Sequence, residues 1–174
     1  MKHSLFLSLF CCSLVAGCVP SSDTLDALFG VKNNTVVLAS STLELSQVSV
    51  TFTPQSNAEV VGKDASICLV LKGGVPLGDG EGEVLRILNG VKINATITTE
   101  GGGVHEFGCL SKNWERSGRI APSGEIAACV QSSCGNRTVP VGTKVRSVSI
   151  STSGPLTAMG AYWHSRAGLE GAGT

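Results

Sequence analysis

The chain has 174 residues with 13 basic and 13 acidic side chains, so its formal net charge is zero. That balance, with no basic run in the sequence, gives no basis for binding nucleic acid. Charged residues make up only 15% and aromatic residues 5% of the chain, while Gly, Ser, Thr and Val are frequent. Such a composition is typical of short strands joined by turns.

An uncharged run, residues 4–16 (SLFLSLFCCSLVA), follows the basic Lys2 near the start of the chain. It is shorter than the ~20 residues that a membrane-spanning helix needs, and it has the length of a signal-peptide core. Residues 15–18 (VAGC) close the run with an aliphatic residue, two small residues and a cysteine. Two interpretations of this segment give Cys18 no special role: an ordinary secretion signal with a chance cysteine, or an uncleaved anchor.

These four residues resemble the lipobox of bacterial lipoproteins. The resemblance implies that residues 1–17 are a signal peptide, that signal peptidase II cuts before Cys18, and that a diacylglyceryl group modifies the Cys18 thiol. Two or three acyl chains hold a protein stably on a membrane, whereas a single chain holds it only marginally. Val19 after the cysteine favours the outer membrane, with the protein facing the periplasm or the cell surface.

The rest of the chain divides into a tether, one domain and a tail. Residues 18–41 show little hydrophobic patterning and are predicted to be the lipidated N-terminus and tether. Residues 42–165 are predicted to form the folded domain, and residues 166–174 lack periodicity, which predicts a flexible tail.

Four cysteines fall within the predicted domain, namely Cys68, Cys109, Cys129 and Cys134. An even number of cysteines in an exported domain predicts two disulfides, with three possible connectivities. The short spacing favours a local Cys129–Cys134 bond, which leaves Cys68 to pair with Cys109. A zinc site is the alternative, but only one near-pair has zinc-knuckle spacing, and we predict neither a metal nor a cofactor.

The domain sequence alternates between polar and apolar residues at many short stretches, as strands do. Residues 48–52 alternate, and residues 67–71 form a continuous apolar run. Residues 83–99 predict a hairpin around Asn89-Gly90, the pair that a type I′ turn favours. Residues 104–110 and 125–130 predict further strands, and residues 143–165 predict a second hairpin around Gly154-Pro155.

This pattern predicts an all-β fold, a disulfide-pinned β-sandwich of immunoglobulin-like or jelly-roll type. A small closed β-barrel is the alternative.

Two groups of residues are candidates for ligand binding. Trp114, Arg116 and Arg119 lie together on the predicted loop 111–124, and aromatic and guanidinium groups are common in recognition surfaces. The alternative for Trp114 is that it packs against the end of the sandwich. Tyr162 and His164 share one face of the last predicted strand, with Trp163 on the opposite, core-facing side.

No residue pattern predicts a catalytic site. His105 and Cys109 lie four residues apart on one predicted strand, roughly 13 Å along it, too far to act on one atom. There is no nucleophile elbow of the G-x-S-x-G kind. Asp79, Glu81 and Glu83 are predicted to lie in a solvated acidic loop. The alternative interpretation is that their carboxylates bind calcium.

Taken together, these features predict a membrane-anchored envelope lipoprotein that acts as a noncatalytic binding or structural module. Its expected partners are the membrane, through the lipid, and an envelope protein or glycan. One alternative is an inhibitor or immunity lipoprotein directed against a wall-degrading enzyme or a toxin. The other is an envelope hydrolase whose site is assembled from distant residues.

Overall fold

The computed structural model describes residues 31–73, 80–110, 125–131 and 139–167. These residues form twelve strands and one helix, α1 (Gly80–Leu88). The strands are β1 (Asn33–Ala39), β2 (Leu43–Leu45), β3 (Val50–Phe52), β4 (Ala58–Glu59), β5 (Asp64–Lys72), β6 (Ile93–Thr99), β7 (Val104–Phe107), β8 (Cys109–Leu110), β9 (Glu125–Gln131), β10 (Lys144–Thr152), β11 (Leu156–Ala158) and β12 (Gly160–Arg166).

Two main antiparallel sheets form the fold. Sheet I has the strand order β1-β12-β5-β9-β8, and sheet II has the order β3-β10-β6-β7 with β4 also paired to β10. A third, two-stranded sheet joins β11 to β2. Neither main sheet closes on itself among the described strands, so the prediction of an all-β sandwich is confirmed.

The hydrophobic core lies between the two main sheets. Because side chains alternate along a strand, each core strand contributes every second residue, as β6 does with buried Ile93, Ala95 and Ile97. Trp163 of sheet I is fully buried and meets Phe107 of sheet II edge-on, with ring centroids 6.1 Å apart. The predicted core position of Trp163 is confirmed.

The folded domain begins earlier and ends later than the sequence predicted. Strand β1 lies within the predicted tether, and its Asn33 pairs with Arg166 of β12. Val36 and Leu38 of β1 are buried in the core. The tether prediction is therefore wrong for residues 33–39, because a strand with only two core positions gives too short an alternating pattern to stand out. Arg166 belongs to β12 and not to the tail.

The predicted hairpin around Asn89-Gly90 is wrong, although both residues have the positive φ that was expected, 46° and 80°. The segment before the turn is helix α1, which packs Val84 and Leu88 into the core at an i, i+4 spacing. The turn therefore joins a helix to β6. Glu81 and Glu83, expected in an acidic loop, lie in α1, and Asp79 lies outside the described residues.

Two further connections differ from the predictions because the chain crosses between the sheets. Strand β10 belongs to sheet II, whereas β12 belongs to sheet I and β11 pairs with β2. The strands expected on both sides of Gly154-Pro155 exist, but they do not form a hairpin. Likewise the single strand expected over residues 104–110 divides at Gly108, with β7 in sheet II and β8 in sheet I.

A disulfide joins Cys68 to Cys129, which are directly opposite each other on the adjacent strands β5 and β9. Cys109 is also disulfide-bonded. The expectation of disulfide bonds is confirmed, but the favoured pairing of Cys129 with Cys134 and of Cys68 with Cys109 is wrong. Spacing along the chain does not reveal which strands become neighbours. These oxidised sulfurs are not thiolate ligands for zinc.

The turns gather at two opposite ends of the sandwich. We call one the entry end, where the chain reaches β1; it contains residues 31–32, 60–63, 100–103, 140–143 and 167. We call the other the distal end; it contains residues 46–49, 89–92 and 153–155. Strand β10 runs from the entry end to the distal end over nine residues, about 30 Å at the rise of an extended strand.

Candidate functional site

The residues predicted to bind a ligand are only partly within the described structure. Trp114, Arg116 and Arg119 lie outside it. Tyr162 and His164 share the outward face of sheet I, as predicted, since they lie opposite Cys68 and Ser66 of β5. However, His164 is only 4% exposed and Tyr162 is half-buried, so these two side chains do not form an open ligand-binding surface.

The ring of His164 contacts the hydroxyl of Thr35, with 2.9 Å between Nδ1 and Oγ1. The two residues are register partners on β12 and β1. The same Thr35 hydroxyl lies 3.3 Å from Oδ1 of Asn33, to which it can donate. Because the imidazole is buried and the contact joins two paired strands, we assign it a structural role in holding the edge strand β1.

The other residues considered for catalysis are kept apart. His105 lies on β7 of sheet II and Cys109 on β8 of sheet I, and Cys109 is disulfide-bonded. Within the described ranges, no group of three or more His, Cys, Asp or Glu residues is placed to hold a metal ion.

The outward face of sheet II is lined mainly by short hydroxyl side chains. Ser147, Ser149 and Ser151 of β10 lie opposite Thr98, Thr96 and Asn94 of β6. The hydroxyls of Thr51 and Ser149 are 2.8 Å apart. This face is polar and largely uncharged, as expected for the solvent side of an antiparallel sheet.

The distal end holds a group of accessible residues whose loops are bonded together, and we name it the distal cluster: residues 46–49, 89–92 and 153–155. It brings together the β2–β3, α1–β6 and β10–β11 connections. Loops held by a rigid sandwich are common binding surfaces, and hydrogen bonds tie both the α1–β6 loop and the β2–β3 loop to the β10–β11 connection.

Ser153 is the centre of the distal cluster. Its backbone N–H donates to the carbonyl oxygen of Lys92 at 2.9 Å, and its Oγ accepts from the Lys92 N–H at 2.9 Å. Its carbonyl oxygen accepts from Nε2 of Gln47 at 3.3 Å. One residue therefore contacts two separate loops through three of its polar groups.

A second set of bonds fixes the β2–β3 loop. The N–H of Thr152 donates to the carbonyl oxygen of Ser46 at 2.8 Å, and the N–H of Val48 donates to the Ser46 hydroxyl at 3.3 Å. Thr152 itself is buried, and its hydroxyl donates to the carbonyl oxygen of Gly154 at 2.7 Å. The loop is thus tied to the end of β10.

This arrangement presents Val48 to solvent. The side chain is 75% exposed, the largest value among the exposed large hydrophobic residues of the described chain. The sequence pattern placed Val48 in line with Val50 and Phe52, which are partly buried, but β3 starts only at Val50. Val48 lies before the strand, and none of the described strands pairs with it.

Sequence reasoning did not find the distal cluster. The turn-forming pairs Asn89-Gly90 and Gly154-Pro155 were the available signals, and each was read as the tip of a separate hairpin. Nothing in the sequence showed that Ser153 and Lys92, 61 positions apart, would exchange two hydrogen bonds.

Comparison with known proteins adds no relative: no protein-family model, no curated protein and no solved structure matches this chain. Within the described residues, no helix is long and apolar enough to span a bilayer.

Proposed function

We propose that this chain is a lipid-anchored protein of the bacterial cell envelope that acts as a noncatalytic binding or structural module. One observation carries the proposal: the segment that would bear the lipid joins the sandwich at the entry end, and the distal cluster lies at the opposite end. A module attached in this way presents the distal cluster away from the membrane.

Two features support the envelope location. The lipobox-like residues 15–18 place a candidate lipidation site, Cys18, upstream of the domain. The Cys68–Cys129 bond joins β5, the central strand of sheet I, to its neighbour β9. Structural disulfides persist in oxidising compartments such as the bacterial periplasm and are rare in the cytosol.

The organisation of the distal cluster supports a binding role. Its loops are tied to each other, so little conformational entropy is lost when a partner contacts them. Val48 offers an apolar contact, and Gln47, Lys92 and Ser153 of the same cluster offer polar ones. An apolar centre with polar neighbours is the usual composition of a protein-binding patch.

The anchor is tested by expressing the full chain in a bacterium and comparing it with a Cys18→Ser variant. We expect the wild-type protein to start at Cys18, to carry acyl chains by intact mass, and to sediment with membranes. The Cys18→Ser variant should lack the acyl mass. Cys12→Ser is the matched control, because it alters a cysteine within the uncharged run that precedes Cys18 and should change neither result. An unmodified wild-type protein would refute the anchor.

The binding surface is tested by crosslinking the anchored protein in intact cells and comparing two aspartate substitutions. Val48→Asp places a charge in the distal cluster, whereas Val104→Asp places one on β7, where the side chain is 65% exposed. We expect Val48→Asp to abolish a crosslinked product that Val104→Asp retains. The opposite result would move the binding surface to the outward face of sheet II.

A further inference from the structure

The entry end is a continuous surface made by five segments of the chain. The N–H of Ala167 donates to the carbonyl oxygen of Lys32 at 2.9 Å, which places the chain entry beside the end of β12. Gly62 lies against Arg166 and Ala167 so closely that a Cβ atom would overlap their backbone. The first and last described segments of the domain are thereby held next to the β4–β5 connection.

The β4–β5 connection is in turn bonded to the turn at residues 140–143. Val60 donates its N–H to the carbonyl oxygen of Thr143 at 2.9 Å, and its own carbonyl oxygen accepts from Gly142 at 2.7 Å. The carbonyl oxygen of Lys144 accepts from Glu100 at 3.0 Å, which adds the β6–β7 turn. The entry end therefore behaves as one rigid surface.

Val141 is an exposed apolar residue in a tight turn of this surface. The N–H of Thr143 donates to the carbonyl oxygen of Pro140 at 3.2 Å, and Gly142 has φ of +84°. A positive φ at the third position is the mark of a type II turn, in which Val141 takes the second position at the apex. Its side chain is 63% exposed.

The charged side chains around Val141 are mixed. Lys32, Lys63 and Lys144 are exposed, and long lysine side chains can lie along a membrane interface with the ammonium among the headgroups. Glu59 and Glu100 lie at the same end. Because positive and negative side chains are both present, contact with a bilayer here depends less on net charge than on the apolar Val141 and on how close the anchor holds this end to the membrane.

We propose that the entry end, with the exposed Val141, is the surface that lies on the bilayer to which the chain is anchored. This inference rests on the proposed lipidation of Cys18. From Cys18 to Val31 the chain spans at most about 45 Å when fully extended, so the entry end is held within that distance of the lipid. The distal end is about 30 Å farther along the sandwich.

Tethering makes a weak contact effective. A second contact made by an already anchored molecule is intramolecular, and the length of the linker sets its effective concentration. A single valine and the aliphatic parts of nearby lysines would bind a membrane poorly in a free protein. In the anchored protein they decide which end of the sandwich faces the lipid.

The test compares tryptophan substitutions at the two exposed valines of opposite ends, Val141→Trp and Val48→Trp. Each acylated protein is reconstituted into phosphatidylethanolamine–phosphatidylglycerol vesicles whose acyl chains carry bromine, a quencher of tryptophan fluorescence. Trp114 and Trp163 contribute equally in both variants. We expect the added fluorescence of Val141→Trp to be quenched and that of Val48→Trp to be unaffected.

Hydrogen exchange provides a second measurement without substitutions in the domain. The acylated protein on vesicles should show slower exchange at residues 140–143 than the Cys18→Ser protein in solution, with no change at residues 46–49. Protection of the distal cluster, or quenching of Val48→Trp equal to that of Val141→Trp, would overturn the proposal, and so would the absence of any effect at the entry end. The acyl mass, measured before reconstitution, separates these failures from a failure of the anchor itself.

Discussion

The indole Nε1 of Trp163 donates a hydrogen bond of 3.0 Å to Oδ1 of Asn34. The same Asn34 oxygen accepts from the N–H of Glu59 at 2.9 Å, and the Asn34 amide nitrogen donates to the carbonyl oxygen of Asn57 at 3.0 Å. One side chain of the edge strand β1 thus satisfies the polar group of the largest buried residue and bonds the segment containing β4. A buried polar group without a partner is costly, so this contact has energetic consequences that can be measured.

Replacing Asn34 with alanine should destabilise the domain by about 2 kcal/mol, since the indole N–H and the Glu59 N–H each lose an acceptor. The carbonyl oxygen of Glu59, 3.3 Å from Nε1, keeps part of the indole bond. Urea unfolding followed by Trp163 fluorescence measures the change. Asn94→Ala, an exposed asparagine on β6, is the control and should unfold as the wild type does. Equal midpoints for the two variants would contradict the assigned role of Asn34.

The Cys68–Cys129 bond closes a loop across 61 positions. Removing it by the double change to alanine should lower the free energy of unfolding by about 4 kcal/mol in the chain-entropy model. Peptide mapping without reduction should find Cys68 linked to Cys129, and we expect Cys109 to be linked to Cys134, the remaining cysteine of the domain. A peptide that links Cys68 to Cys109 would disprove this connectivity.

Ser153→Ala should loosen the distal cluster, because the Lys92 N–H loses its acceptor on the serine hydroxyl. We expect a loss of about 1 kcal/mol and faster hydrogen exchange at Lys92. Ser151→Ala is the matched control, since Ser151 lies two residues earlier on the outward face of sheet II and should tolerate the change. If both variants exchange at the same rate, the hydroxyl of Ser153 does not organise the loops.

Gly62→Ala should destabilise the entry end, because the new methyl group would overlap the backbone of Arg166 and Ala167. Overpacking of this kind costs about 1–3 kcal/mol. Gly101→Ala is the control: a Cβ there meets only the Thr99 hydroxyl, at 3.9 Å, and Gly101 does not have a positive φ. Thermal unfolding that ranks Gly101→Ala below Gly62→Ala would show that the close approach at Gly62 does not exist in solution.

The local sequence pattern determined the fold class and the positions of many of the strands. The apolar run of β5, the alternation of β6 and the core position of Trp163 were all predictable, because burial on one or both faces of a sheet imposes a period on the residues themselves. The positive φ of Asn89 and Gly90 was predictable for a similar reason, since these residue types tolerate that backbone conformation best.

Tertiary structure alone decided which strands pair, and with that the disulfide, the crossings and the distal cluster. Strands β10 and β12 follow each other closely but belong to different sheets, and Cys68 finds Cys129 because β5 and β9 are neighbours. Asn34 contacts Trp163 across 129 positions, and Ser153 contacts Lys92 across 61 positions. The pairing of distant segments depends on how both sheets bury their apolar faces together, which no short stretch of sequence contains.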